Sequence, residues 1–121
     1  LALVTDAMSA QGIGDGTFTL GEHTVLVRGN LCTLTDGVTI ASSVISLNAA
    51  AHNAMQFTGM DWVDVAHTAA LNPAIACGVA DRKGSLETGK DADIAVFRPD
   101  FTTVCTLRAG QMVYQNPAAF A

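Results

Sequence analysis

The feature that most constrains this chain is its opening run, Leu1-Ala2-Leu3-Val4, followed by Thr5, a single carboxylate at Asp6, and the small residues Ala7 and Ser9 around Met8. A short unbroken apolar run with turn chemistry behind it predicts a strand buried on both faces, as in parallel sheets. Asp6 then falls at the carboxyl end of that strand, the edge on which α/β folds place reacting groups. The competing reading is local, since an Asp after a strand can serve only to cap the next loop. A doubly buried strand needs neighbours on both sides, so this opening is expected of a chain that starts partway through a larger protein.

The glycine-rich stretch Gly12-Ile13-Gly14-Asp15-Gly16 comes next. A phosphate-cradling loop would need Lys-Ser/Thr after its last glycine, and Thr17-Phe18 follows instead; a dinucleotide fingerprint would need a helix, whereas Thr17–Leu20 alternates as a strand. The stretch reads as a connection. Thr17–Leu20, Thr24–Val27 and Leu31–Leu34, separated by Gly21-Glu22 and Gly29-Asn30, predict an antiparallel meander closed by Asp36-Gly37.

Val38–Ser43 is read as the lead into a helix. Val44, Leu47, Ala51, Ala54 and Met55 recur at three- and four-residue steps, with Ser42 or Ser43 as cap and Gly59 as terminator. Asp61 caps a second helix with Trp62, Val65, Ala66, Ala69 and Ala70 on its buried side. Asn72-Pro73 opens a third, one-turn helix ending at Gly78, with Asn as cap and Pro in the first helical position. Beyond two further turns, Ile94–Phe97, Thr103–Leu107 and Gln111–Tyr114 predict a second small antiparallel sheet.

Composition narrows the partners. With 50% hydrophobic and 14% charged residues the chain is globular rather than disordered. A net charge of −5, with Arg82-Lys83 as the only basic pair, argues against nucleic-acid and anionic-membrane partners. No apolar window is long enough for a membrane span. Cys32, Cys77 and Cys105 are scattered without a CxxC pair, which predicts reduced thiols in a cytoplasmic protein. His23 reads as an exposed strand-end residue, His52 as packing at the edge of an apolar stripe, and His67 as solvent-facing; none stands at metal-ligand spacing to another ligand.

Two motifs carry a family resemblance. Gly84-x-Leu86-x-x-Gly89-Lys90-x-Ala92-Asp93-Ile94, after Asn72-Pro73-Ala74 and Gly78, resembles the C-terminal segment of the amidohydrolase superfamily. Leu3-Val4-Thr5-Asp6-Ala7, the glycine-rich loop, the meander and Gly37-x-Thr39-Ile40-Ala41-Ser42-Ser43 together resemble the N-acetylglucosamine-6-phosphate deacetylase family over essentially the whole chain. The resemblance implies an α/β fold: the last βα unit of a metal-dependent hydrolase (β/α)8 barrel in residues 1–83, with strand 8, a meander insertion and helices. Residues 84–121 would be the C-terminal strands of a small β-sandwich domain.

The resemblance further implies that Asp6 is the catalytic acid/base and that Ile40, Ala41 and Ser42 bind the sugar. Ser42 stands where the family has glycine in a Leu-Ala-Gly-Ser type turn, so a left-handed backbone there would be strained. A divalent metal, zinc or iron, is implied for the complete enzyme, but no metal ligand matches in this segment. Its implied partners are an amino-sugar phosphate, the remainder of the barrel and a second subunit in a dimer. The isolated segment is expected to be inactive, with exposed apolar surface. Other superfamily members (dihydroorotases, deaminases, dipeptidase-like hydrolases) share the tail motif and the strand-end aspartate, and a non-catalytic module is a further alternative; the meander after Asp6 favours the deacetylases.

Overall fold

A computed structural model describes residues 1–119 of the 121-residue chain. They form two compact units, one of Val4–Ala50 and one of Leu1–Leu3 with the chain from Ala51 onward. The fold is mixed α/β with two antiparallel sheets.

The first unit is built on the predicted meander. β1 (Gly16–Leu20), β2 (His23–Arg28), β3 (Leu31–Leu34) and β4 (Ile40–Ser42) pair in sequence order, each antiparallel to the next. Leu20 pairs with His23 and Arg28 with Leu31, leaving two-residue loops. Their first positions, Gly21 and Gly29, have φ of 60° and 58°, the left-handed start that hairpin turns require and glycine adopts without a Cβ penalty. Asp15 adds a brace, its carboxylate accepting from Gly29 N–H at 2.7 Å. Alternation along β2 buries Val25 and Val27, which meet Cys32, Met8, Ala10 and Val44 in one core.

The fourth strand lies where a helix lead-in was expected. Leu34 N–H donates to the Thr39 carbonyl at 2.8 Å, which closes a loop and delivers Ile40–Ser42 onto β3, with a register shift between Cys32 and Thr33. Val44 consequently joins the sheet core rather than the helix stripe. The helix α1 (Leu47–Thr58) starts after Ser46, whose carbonyl accepts from Ala50 N–H at 2.9 Å; Ser42 and Ser43 do not cap it. Gly59 ends it as expected, with φ of 73° and its N–H on the Met55 carbonyl.

The opening run departs most from expectation. Leu1–Asp6 forms no ladder, and among the described residues parallel pairing is limited to one bridge between Ala7 and Ser43. Leu1 and Val4 are 79% and 75% exposed, so the run is not buried on both faces. A parallel ladder needs a neighbour of matching length; β4 has three residues, is already paired with β3, and offers only Ser43 beyond its end. Leu1 and Leu3 are held otherwise: Leu3 N–H donates to the Thr68 carbonyl at 2.8 Å, and Asn72 Nδ2 donates to the Leu1 carbonyl at 2.7 Å.

In the second unit, Asp61 caps α2 (Trp62–Ala66) through a capping box with Asp64. A π-helical turn (His67–Leu71) then runs directly into α3 (Asn72–Ala76). Asn72 is thus an interior helical residue (φ −63°, ψ −42°) and not a cap. Pro73 explains the widened turn: it has no N–H to give and its ring crowds the carbonyl four residues back, and the shift to an Asn72 N–H bond on the His67 carbonyl makes room. Val65, Ala51 and Phe101 form the core here; Trp62, Ala66 and Ala70, expected on the buried side, are exposed, Trp62 while stacked on Phe101 at 4.5 Å. Gly78 closes α3 in a Schellman arrangement, with Gly78 N–H on the Ile75 carbonyl and Val79 N–H on the Ala74 carbonyl.

The predicted tail strands form a second sheet in sequence order, β5 (Ile94–Phe97), β6 (Thr103–Arg108) and β7 (Gln111–Gln115). The β6–β7 turn has φ of 49° at Ala109 and 78° at Gly110, the two left-handed residues of a type I′ hairpin. Asp93 steadies the non-glycine member by accepting from Ala109 N–H at 2.8 Å. Its other carboxylate oxygen pairs with Lys83, which also meets Asp91 at 2.9 Å; Arg82 joins Asp91 at 3.0 Å.

Candidate active site

The candidate residues gather in the first unit at the junction of the opening run and β4. Asp6 has φ of 48°. Aspartate tolerates the left-handed region better than most side chains, at a cost of about 1–3 kcal/mol that the surrounding structure must offset. Here the support comes from β4 and its continuation: Ala7 bridges Ser43, Met8 N–H donates to the Ser43 carbonyl at 3.0 Å, and Ser42 Oγ donates to the Asp6 carbonyl at 3.5 Å. Behind this junction, Met8 and Cys32 are buried with Cys32 Sγ 3.4 Å from Met8 Sδ. The backbone of Asp6 is anchored while its side chain is exposed.

Two sequence-predicted groups, Asp6 and the Ile40–Ser42 segment, are therefore brought together although 36 residues separate Asp6 from Ser42. Ile40 is 72% exposed, and Ala41 and Ser42 are half-buried. Ser42 lies in β4 with no left-handed backbone, so a serine here is unstrained and its hydroxyl is used. The histidines are elsewhere. His23 is exposed at the start of β2, His67 is exposed, and His52 packs at 5.3 Å from the Phe101 ring.

Sequence reading passed over one part of this junction. Asp36 Oδ1 accepts from Val38 N–H and Thr39 N–H, both at 2.9 Å, and Oδ2 accepts from Thr39 Oγ1 at 2.6 Å. The Thr39 hydroxyl first, then the Val38 and Thr39 N–H groups, hold the Asp36 carboxyl below the usual carboxylate range. The signal was present in Asp36-Gly37-Val38-Thr39, an Asx-turn pattern, but nothing local tied it to Asp6.

Among the described residues no three His, Cys, Asp or Glu side chains converge as a metal ligand set. The residues present do not fit a metal centre by themselves. What the junction can do chemically is offer one exposed carboxylate on a held backbone beside an apolar and hydroxyl-bearing wall, an arrangement suited to moving a proton at a bound polar group.

Known proteins give this geometry a context. Residues 13–113 match the model of the Amidohydrolase family. The N-acetylglucosamine-6-phosphate deacetylase of Bacillus subtilis is 38% identical over 98% of this chain, which spans 30% of that protein. A protein of Escherichia coli named a putative N-acetylgalactosamine-6-phosphate deacetylase is 37% identical over 80% of this chain, which covers 58% of it. The crystal structure of the N-acetylglucosamine-6-phosphate deacetylase of Pasteurella multocida superposes with a TM-score of 0.87 at 31% identity, over 95% of this chain and 30% of that one.

Proposed function

This chain belongs to the amidohydrolase family, and from that premise we propose that it is the C-terminal part of an N-acetylglucosamine-6-phosphate deacetylase, supplying the catalytic acid/base Asp6 and the sugar-contacting residues Ile40, Ala41 and Ser42. The observation that carries the reading is the junction itself: the exposed carboxylate residue Asp6 is tied through its backbone to Ser42 of β4, in a chain similar to such deacetylases over nearly all its length.

The chemistry asks for this arrangement. Amide nitrogen leaves poorly unless protonated, so a carboxylate that first takes a proton from the attacking water and then delivers it to the departing nitrogen serves both halves of the reaction. Water adds to the acetamide carbonyl, the C–N bond breaks, and glucosamine 6-phosphate and acetate result. Asp6, exposed and carried on a fixed backbone, is the group for both transfers. Residues 1–83 would close a (β/α)8 barrel as its last strand, meander and helices, and residues 84–121 would complete a small β-sandwich domain. A (β/α)8 barrel of about 250 residues is longer than this chain, and by the family resemblance the zinc or iron ligands and the phosphate-binding groups would lie on its earlier strands, outside this segment. The remaining assignments are a cytoplasmic, dimeric enzyme of amino-sugar breakdown, and an inactive isolated segment.

The test is turnover of N-acetylglucosamine 6-phosphate by the full-length enzyme carrying this segment, assayed beside dihydroorotate and a dipeptide panel. Deacetylation is expected; turnover of either of the others instead would replace the reading within the family. The similarity to the E. coli protein favours a second reading, the galactose epimer as substrate, and a higher kcat/KM on N-acetylgalactosamine 6-phosphate would select it.

A further inference from the structure

We propose that Asp36 is a positioning residue of this site, whose carboxylate locks the loop ahead of β4 and so sets where Ile40 and Ser42 meet the sugar. The inference rests on the deacetylase reading and goes beyond it, since Asp36 touches neither Asp6 nor the proposed wall.

The geometry runs from the carboxylate outward. Three donors from two consecutive residues, Val38 N–H, Thr39 N–H and Thr39 Oγ1, converge on one side chain at 2.6–2.9 Å. Thr39 in turn presents its carbonyl to Leu34 N–H at 2.8 Å, and Gly37 N–H donates to the Leu34 carbonyl at 3.0 Å. Thr39 is therefore held on its N–H, its hydroxyl and its carbonyl, and the very next residue is Ile40. Inside β4 the hold is thinner. Only Ile40 and Ser42 have partners on β3, across a register shift, so the strand's own ladder fixes its start weakly.

The loop also holds a conformation that apolar burial does not explain. Val38 is 82% exposed and Ile40 72% exposed, so their burial does not set the loop's path; the charge-assisted hydrogen bonds to Asp36 set it together with the Leu34 backbone bonds. A carboxylate held below its usual range stays ionised through neutral and mildly acidic conditions, which keeps all three bonds in place where a deacetylase would work. At the far end of β4, Ser42 Oγ reaches the Asp6 carbonyl. The segment from Asp36 to Ser42 is thus pinned at one end by Asp36 and touches the acid/base backbone at the other.

A positioning role for the sugar wall separates KM from kcat. In the full-length enzyme with N-acetylglucosamine 6-phosphate, Asp36→Ala should raise KM about tenfold while kcat stays within about threefold. Asp36→Asn should restore KM to within about threefold of the parent, because its amide oxygen still accepts from both N–H groups. Thr39→Val removes only the hydroxyl bond and should raise KM about threefold; it decides the matter should Asp36→Ala not fold. An unchanged KM in Asp36→Ala, or in Thr39→Val where only that variant folds, overturns the proposal. So does an Asn variant as impaired as the Ala variant. The parent enzyme and Asp6→Asn measured alongside keep the readings apart. A parent that turns over N-acetylglucosamine 6-phosphate, with a parental KM in Asp36→Ala, sinks this inference alone; a parent that leaves that substrate untouched sinks the deacetylase reading; and a fully active Asp6→Asn removes Asp6 as its acid/base.

Discussion

Ser42 Oγ donates to the backbone carbonyl of Asp6 at 3.5 Å, joining two residues 36 positions apart at the place where the opening run turns left-handed. Because the bond is to the main chain, replacing the Asp6 side chain leaves it intact. Asparagine also tolerates a left-handed backbone, so Asp6→Asn removes proton-transfer chemistry without disturbing the turn. Turnover of the full-length enzyme is expected to fall by about 10²–10⁴-fold with an unchanged thermal midpoint, read by steady-state kinetics and calorimetry on the same sample. Near-parental turnover would exclude Asp6 as the acid/base.

Gly84 offers a stability test away from the site. Its φ is 90°, and an added Cβ would lie 2.7 Å from Ala74 Cβ and 3.0 Å from the Ala70 carbonyl oxygen. Left-handed strain and overpacking against backbone add, so Gly84→Ala should cost about 2–4 kcal/mol. Denaturant unfolding should show a lower midpoint at similar slope; a parental midpoint would mean that the segment moves away from α3 at little cost.

The cluster around Lys83 predicts a stability plateau in pH. The Lys83 ammonium, then the Ala109 N–H, lowers the Asp93 carboxyl, and Lys83 with Arg82 lowers Asp91. Groups with depressed folded values contribute above their unfolded value of about 4 and lose that contribution as pH falls through the folded one. Lys83 is raised by Asp93 and then Asp91; its contribution is complete below about 10.4 and fades as pH rises through the folded value. Asp93→Asn should therefore narrow the difference in thermal midpoint between neutral and acidic buffer relative to the parent, and an identical acid limb in both would dismiss the cluster as an acid-sensitive brace.

Asp61 accepts from Val63 N–H at 2.8 Å and Asp64 N–H at 2.9 Å. Asp61→Ala should cost about 1 kcal/mol, the usual worth of a helix cap, and Asp61→Ser should recover most of it. Chemical denaturation of the three proteins side by side checks this; equal loss in the Ser and Ala variants would show that the charge, not the cap, matters.

The sequence by itself determined the elements whose causes are local. The meander strands follow from alternation and from Gly21 and Gly29; the tail hairpin follows from Ala109-Gly110; the ends of α1, α2 and α3 follow from Gly59, Asp61 and Gly78. Turns, caps and side-chain periodicity act over a few residues, so they are written in a few residues. The candidate residues Asp6, Ile40, Ala41 and Ser42 could also be named from motifs alone.

Tertiary structure decided what depends on distant partners. Whether Leu1–Val4 forms a strand depends on a neighbour to pair with, and Ser43, just past β4, bridges Ala7 beyond that run. Whether Val38–Ser43 leads a helix or joins a sheet was settled by Leu34 and by the Asp36 carboxylate. Asn72 lost its cap role to a π turn that accommodates Pro73 within one continuous helix. The meeting of Asp6 with Ser42 belongs to the same class: local rules place each residue on its own segment, and the Ala7–Ser43 bridge, the Met8 N–H bond to the Ser43 carbonyl and the shared core bring the two segments together.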